Sequence, residues 1–181
     1  YKYPNSPLAD IKVRQAMNKA IDRDALNKAF FANKGELMIV DPMHPSRPGW
    51  DPALAQKFKA DYGYDPEGAK KLLAEAGKAG FSTTIIQQSI AGFSGAEDML
   101  EAMAGMWRNV GIKVDIISPD AATVTTQGRA LAYDNHITVA ATSAGGLVST
   151  FYHSTMESRG AKLEDADIQK VVDELYVTLD E

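Results

Sequence analysis

The sequence predicts an α/β fold, and three adjacent stretches carry that prediction. Residues 82–90 have a β-branched centre, Thr83-Thr84-Ile85-Ile86, of the kind that suits a pleated, half-buried surface. Residues 94–110 then place Met99, Leu100, Met103, Met106, Trp107 and Val110 at helical spacing, with Gly111 as a stop. Ile112, Val114 and Ile116 alternate with Lys113 and Asp115, the period of a strand. Strand, helix and strand joined over this length form a βαβ unit, so at least part of the sheet is parallel.

The remaining elements follow in chain order. Pro7 and Asp10 open a helix whose apolar stripe is Val13, Ala16, Met17, Ala20 and Ile21. Asp22 reads as the N-cap of a second helix running through Leu26 to Phe30, with Gly35 beyond its end. Residues 36–41 have the look of a short strand, and the proline-rich stretch from Pro42 to Pro52 that of a stiff loop. Asp51-Pro52 and Asp65-Pro66 repeat one device, an Asp N-cap with Pro at the first helical position. The second of these starts a helix through Ala69, Leu72, Leu73 and Ala76 to Gly77. Ser94 and Glu97 have capping-box spacing ahead of the central helix. Residues 120–131 read as a helix, 136–142 as a strand and 148–152 as a short helix after the Gly145-Gly146 break. Asp165 to Leu179 closes the chain as a helix with Ile168, Val171, Val172, Leu175 and Leu179 on one face. The architecture expected is one α/β domain over residues 1–181.

Composition removes several function classes. The chain has 181 residues and a net charge of −5, with no Lys/Arg cluster, which argues against nucleic acid or an anionic membrane as partner. There are no cysteines, so disulfides, thiolate zinc sites and cysteine nucleophiles are excluded. No apolar run approaches the length of a helical membrane span. Tyr1 to Asn5 is not a signal peptide, and the opening reads as the middle of a longer chain.

Chemistry-bearing motifs are sparse. His44, His136 and His153 are too scattered for a metal motif, and Glu164-Asp165-Ala166-Asp167 suits the start of a helix better than a calcium loop. No cofactor is expected. Neither phosphate-binding glycine fingerprint occurs. Gly92-Phe93-Ser94-Gly95-Ala96 stands one residue from a nucleophile elbow, with Asp115 or Asp134 and His136 or His153 following in hydrolase order. A serine hydrolase using Ser94 is therefore the alternative reading, against a capping role for the same side chain. Trp50, in a polar loop after Pro48-Gly49, is a candidate docking or ligand surface.

The run from Pro7 to Arg23, PLADIKVRQAMNKAIDR, resembles a signature of the bacterial extracellular solute-binding proteins of family 5, the peptide, nickel and opine receptors of ABC importers. Tyr64-Asp65-Pro66-Glu67 leading to Lys71-Leu72-Leu73-Ala74-Glu75-Ala76-Gly77, then Trp107 to Val114, then Tyr133-Asp134, agree with that family in order and spacing. The resemblance implies a type II periplasmic binding protein and, for this chain, its second lobe only: a mixed sheet flanked by helices, with residues 1–6 as the incoming hinge strand. It implies solute capture by hinge closure, without catalysis. The partners would be ABC permease subunits and a first lobe, and the setting periplasmic or extracellular, with a lipid anchor on the full-length protein possible. A sensing or scaffolding role on the same fold is the third reading.

Two departures from the dipeptide-binding pattern bear on the solute. The family's Asp for a peptide ammonium falls, by register from Tyr133-Asp134, at or beside Ser143, and its Arg for the carboxylate falls near Ile90. Both charges are replaced by uncharged residues, so free dipeptides are disfavoured, because a buried ammonium without its partner is costly. An oligopeptide held by its backbone or a neutral oligosaccharide is expected instead. Ligands of open α/β sheets lie beyond the carboxyl ends of the strands. That rule and the aromatic content select Gln88, Phe93, Thr142, Ser143, Gly145, Gly146 and Trp50 as the candidate ligand residues. Phe151 and Tyr152 are read as core rather than platform.

Overall fold

A computed structural model describes residues 5–37, 39, 45, 50–87, 92–129, 135–138 and 166–177. A 3₁₀ turn at Pro7–Ala9 leads into α1 (Ile11–Lys19), α2 (Arg23–Phe31), α3 (Pro52–Tyr62) and α4 (Pro66–Glu75). The βαβ unit follows as β1 (Ser82–Ile86), α5 (Ala96–Asn109) and β2 (Lys113–Ile117). Then come α6 (Ala121–Arg129), β3 (His136–Thr138) and α7 (Ala166–Val177). Among the described residues no helix is long and apolar enough to cross a membrane.

The strands lie in the order β2-β1-β3, and β1 is parallel to both neighbours, with Thr84 opposite Asp115 and His136. The described strands are all parallel, so the mixed character expected of the sheet is not seen among the described residues. On one face Thr83, Ile85 and Val114 are buried and Ile116 and Ile137 are half-buried. Ile86, one residue on and therefore facing the other way, is also fully buried. A strand buried on both faces is what a parallel sheet between layers requires, and it explains the unbroken apolar pair Ile85-Ile86.

The core joins the first face to α1, α4 and α5 through Val13, Ala16, Met17, Leu73, Leu100, Ala104 and Trp107. Helix α1 ends at Lys19, and the amide of Ile21 turns back to Asn18 O at 3.2 Å, which leaves the carbonyl of Met17 without its usual partner. The buried Trp107 indole donates to that carbonyl at 2.9 Å. One side chain thus fills the core and satisfies an orphan helix-end acceptor.

The Asp caps form as the sequence predicts. Asp22 accepts from the Ala25 amide at 2.9 Å, Asp51 from Ala53 at 2.8 Å and Asp65 from Gly68 at 2.8 Å. Two expectations need correction. Residues 36–41 are not a strand where they are described: Glu36 and Leu37 are irregular and Ile39 lies in a bend. Asn27 ties the chain back onto α2, its Nδ2 donating to Gly35 O at 3.0 Å and its Oδ1 accepting from Gly35 N at 2.9 Å. Leu37 is then left 54% exposed, with no sheet face to cover it. Helix α2 ends at Phe31 as expected, passing through left-handed Ala32 and Asn33 before Gly35. The capping box does not form either, because α5 starts at Ala96 with Gly95 in the N-cap position and no side-chain cap. The predicted strand over 82–90 is described only as far as Ile86, and Gln87 lies outside it. The predicted helix over 148–152 lies outside the described residues, as do residues 1–4 of the predicted hinge strand.

Candidate functional site

The carboxyl ends of β1 and β2 meet at one edge of the sheet, where the Gln87 amide donates to Ile117 O at 2.8 Å. Past this point the chain returns as Gly92-Phe93-Ser94-Gly95 into α5. Gly92 adopts φ +80°, a left-handed turn that a side chain would strain. The half-buried Phe93 ring stacks on Phe31 at the end of α2, centroids 5.2 Å apart and planes 25° from parallel. Gly95 makes room for that ring, because a Cβ there would stand 3.2 Å from Phe93 Cε2 and 3.6 Å from Phe30 Cδ1. The loop therefore holds an aromatic where a conventional cap would otherwise start the helix.

The electrostatics of this edge disfavour anions. The first turn of α5 carries Glu97 and Asp98, which already complement the positive end of the helix dipole. After β2, Asp120 accepts from the Thr123 hydroxyl at 2.6 Å and its amide at 2.9 Å. Those two bonds, the hydroxyl first, hold the Asp120 carboxyl below its ordinary range. Its charge is engaged on its own helix. Among the described residues no group of three potential metal ligands occurs.

Of the sequence-selected ligand residues, Phe93 stands at this edge and Trp50 is half-buried just before the Asp51 cap of α3. Gln88, Thr142, Ser143, Gly145 and Gly146 lie outside the described residues, as do Ile90, Phe151, Tyr152, His44 and His153. Phe31, 41% exposed, was not selected from sequence. The signal was present: Phe30 and Phe31 are consecutive in a helix, so both cannot face the same core.

Ser94 does not have the setting of a nucleophile. Residues 87–95 separate β1 from α5, where an elbow needs a sharp strand-to-helix turn. Asp115 and His136 flank Thr84 on opposite sides of β1, upstream of the edge where Ser94 lies.

The charged residues of the opening motif serve the scaffold. Asp10 accepts from the Lys12 amide at 2.8 Å, and Arg14 donates to the carbonyls of Leu8 and Ala9, both at 2.8 Å. Arg23 donates to Asn18 Oδ1 at 2.8 Å and Asn18 O at 3.1 Å, and its guanidinium lies 5.2 Å over the Phe58 ring. Burial pulls the Arg23 pKa below its ordinary value without threatening its charge. Lys12 pairs with Glu75 at 3.0 Å between α1 and α4, and holds that carboxyl below its ordinary range.

Residues 2–160 match the sequence profile of the bacterial extracellular solute-binding proteins, family 5 middle region. The dipeptide-binding protein of Escherichia coli strain K12 is 33% identical over 121 residues, 65% of this chain and 22% of that protein. The glutathione-binding protein GsiB of Shigella flexneri serotype 5b is 39% identical over 116 residues, 64% of this chain and 21% of its own length. The chain thus spans about a fifth of these relatives. Among solved structures, the binding protein AgaA from A. tumefaciens R10, in complex with agropinic acid, superposes with a TM-score of 0.68 at 23% identity, over 97% of this chain and 36% of that one. At that identity the likeness concerns the fold, that of a type II periplasmic binding protein.

Proposed function

Because the chain belongs to the bacterial extracellular solute-binding proteins of family 5, we propose that it forms one lobe of a two-lobed receptor that captures a solute for an ABC importer. The family match over residues 2–160 carries this reading. Members of the family are periplasmic or extracellular binding proteins, and this chain works in the same setting, held near its permease by a lipid anchor on the full-length receptor. It binds and performs no chemistry. The solute sits beyond the carboxyl ends of the strands, against Trp50, Gln88, Phe93, Thr142, Ser143, Gly145 and Gly146. Closure of the two lobes buries it, so binding shifts an open–closed equilibrium by the difference in affinity between the two states.

The solute is uncharged where this lobe touches it. Supporting this are the uncharged residues at or beside Ser143 and near Ile90, where the resemblance puts the charged anchors of dipeptide-type relatives, and the acidic first turn of α5. A neutral oligosaccharide meets these conditions, and so does an oligopeptide held by its backbone. The names of the dipeptide- and glutathione-binding relatives favour the peptide class.

Thermal unfolding of the receptor-length protein against free dipeptides, longer peptides, neutral oligosaccharides and chelated metals tests the proposal. A ligand at a hundred times its dissociation constant adds roughly 2.7 kcal/mol of stability, a clear rise in melting temperature. Oligosaccharides or longer peptides are expected to stabilise it and dipeptides to leave it unchanged. Strong stabilisation by dipeptides would refute the reading of Ser143 and Ile90, and no shift with any class would refute the receptor.

A further inference from the structure

Helix α5 and strand β2 also meet along the outer side of the sheet, away from the carboxyl ends of the strands. A parallel ladder uses every second residue of an outer strand. The Lys113 amide donates to Phe81 O at 2.9 Å, and Ile117 O accepts from the Gln87 amide at 2.8 Å. Lys113, Asp115 and Ile117 therefore bond to β1, and the backbone N–H and C=O of Val114 and Ile116 point away from it. β2 is an outer strand among the described residues, so these groups line an edge. An uncovered edge is a template for another strand. Arg108, in the last turn of α5, covers this one: its Nη2 donates to Val114 O at 2.9 Å and its Nε to the same oxygen at 3.3 Å. Glu101, seven residues earlier on α5, accepts from Nη1 at 2.5 Å and holds the guanidinium there.

The edge is also complementary to itself. Two copies related by a two-fold axis would pair β2 with β2 antiparallel and extend one sheet across both. With Val114 opposite its counterpart, Lys113 of each copy stands opposite Asp115 of the other, and directly opposed charges of unlike sign stabilise a strand pair. Lys113 and Asp115 are both exposed and, two residues apart in a strand, share one face. Centring the pair on Asp115 instead would set two carboxylates against each other. The register that charge favours thus needs the Val114 carbonyl, the oxygen that Arg108 occupies, and would crowd two guanidinium groups at the axis. We propose that the outer edge of β2 is a docking surface for a second copy of this chain, and that Arg108 keeps it closed.

Sedimentation equilibrium of the 181-residue chain over a concentration series tests both halves of the proposal. The wild type is expected to keep the mass of one chain, and Arg108→Ala to approach twice that mass as concentration rises. Adding Asp115→Lys to Arg108→Ala sets lysine against lysine and is expected to return the mass to one chain. Adding Lys113→Asp as well restores opposite charges in the same register, and the doubled mass is expected to return. Circular dichroism reports whether each variant keeps its fold; should Arg108→Ala lose it, Arg108→Met, which keeps an unbranched stem without a donor, takes its place. A folded Arg108 variant that stays at the mass of one chain would overturn the proposal. Association that Asp115→Lys leaves unchanged would place the contact elsewhere and overturn it too. A wild type that already doubles its mass, and loses that with Asp115→Lys, would overturn the role given to Arg108.

Discussion

Trp107→Ala is expected to destabilise the chain by about 3–5 kcal/mol, the usual cost of deleting a buried aromatic. The indole is 5% exposed, sits between α5 and α1, and donates at 2.9 Å to the Met17 carbonyl that the end of α1 leaves unpaired. Two effects combine, a cavity in the core and an unsatisfied acceptor. Trp107→Phe separates them, because phenylalanine retains most of the apolar bulk and cannot donate. It is expected to cost about 1–3 kcal/mol, the penalty for a buried carbonyl stripped of its partner. Urea unfolding followed by circular dichroism measures both variants. A Trp107→Phe midpoint equal to wild type would show that water or a shifted backbone satisfies Met17 equally well.

Leu73→Ala is expected to cost about 2–5 kcal/mol, towards the upper end. Leu73 is 1% exposed where α4 packs on α1, among Val13, Ala16 and Ala69, each 0% exposed. Two alanines at the interface let the helices approach closely, and neither carries atoms that can move into a void, so the cavity left by leucine stays open. The exposed Lys70–Glu67 pair on the same helix supplies the contrast: Lys70→Ala is expected to leave the urea midpoint within error. Similar midpoints for the two variants would mean that α4 is held by its polar surface and not by its buried face.

The parts of the fold legible in the sequence are those specified by neighbours in the chain. The βαβ unit is one, since alternation in β2 and the stripe of α5 each state which face is buried. The Asp-Pro starts of α3 and α4 are another, because cap and first helical residue are adjacent. Errors arose where a distant contact decides. Residues 37–40 are apolar and end in the β-branched Ile39 and Val40 in the manner of a strand, but a strand needs a partner, and Asn27 takes the backbone of Gly35 first. Ser94 has the spacing of a cap, but spacing does not register that Phe93 packs on Phe31 from another helix. The candidate site was legible as an edge, through the rule placing ligands beyond the strands' carboxyl ends. Phe31 enters it only by tertiary packing. The arginines of the opening motif, read as a family signature, turn out to bind backbone carbonyls around α1.

Capture by closure is tested most directly by small-angle X-ray scattering of the receptor-length protein, with and without whichever solute raises its melting temperature. Two lobes folding over a ligand are expected to lower the radius of gyration and shorten the maximum dimension, saturating at the concentration at which binding saturates. A solute that binds fully while both dimensions stay unchanged would contradict capture by hinge closure and leave only a rigid binding surface.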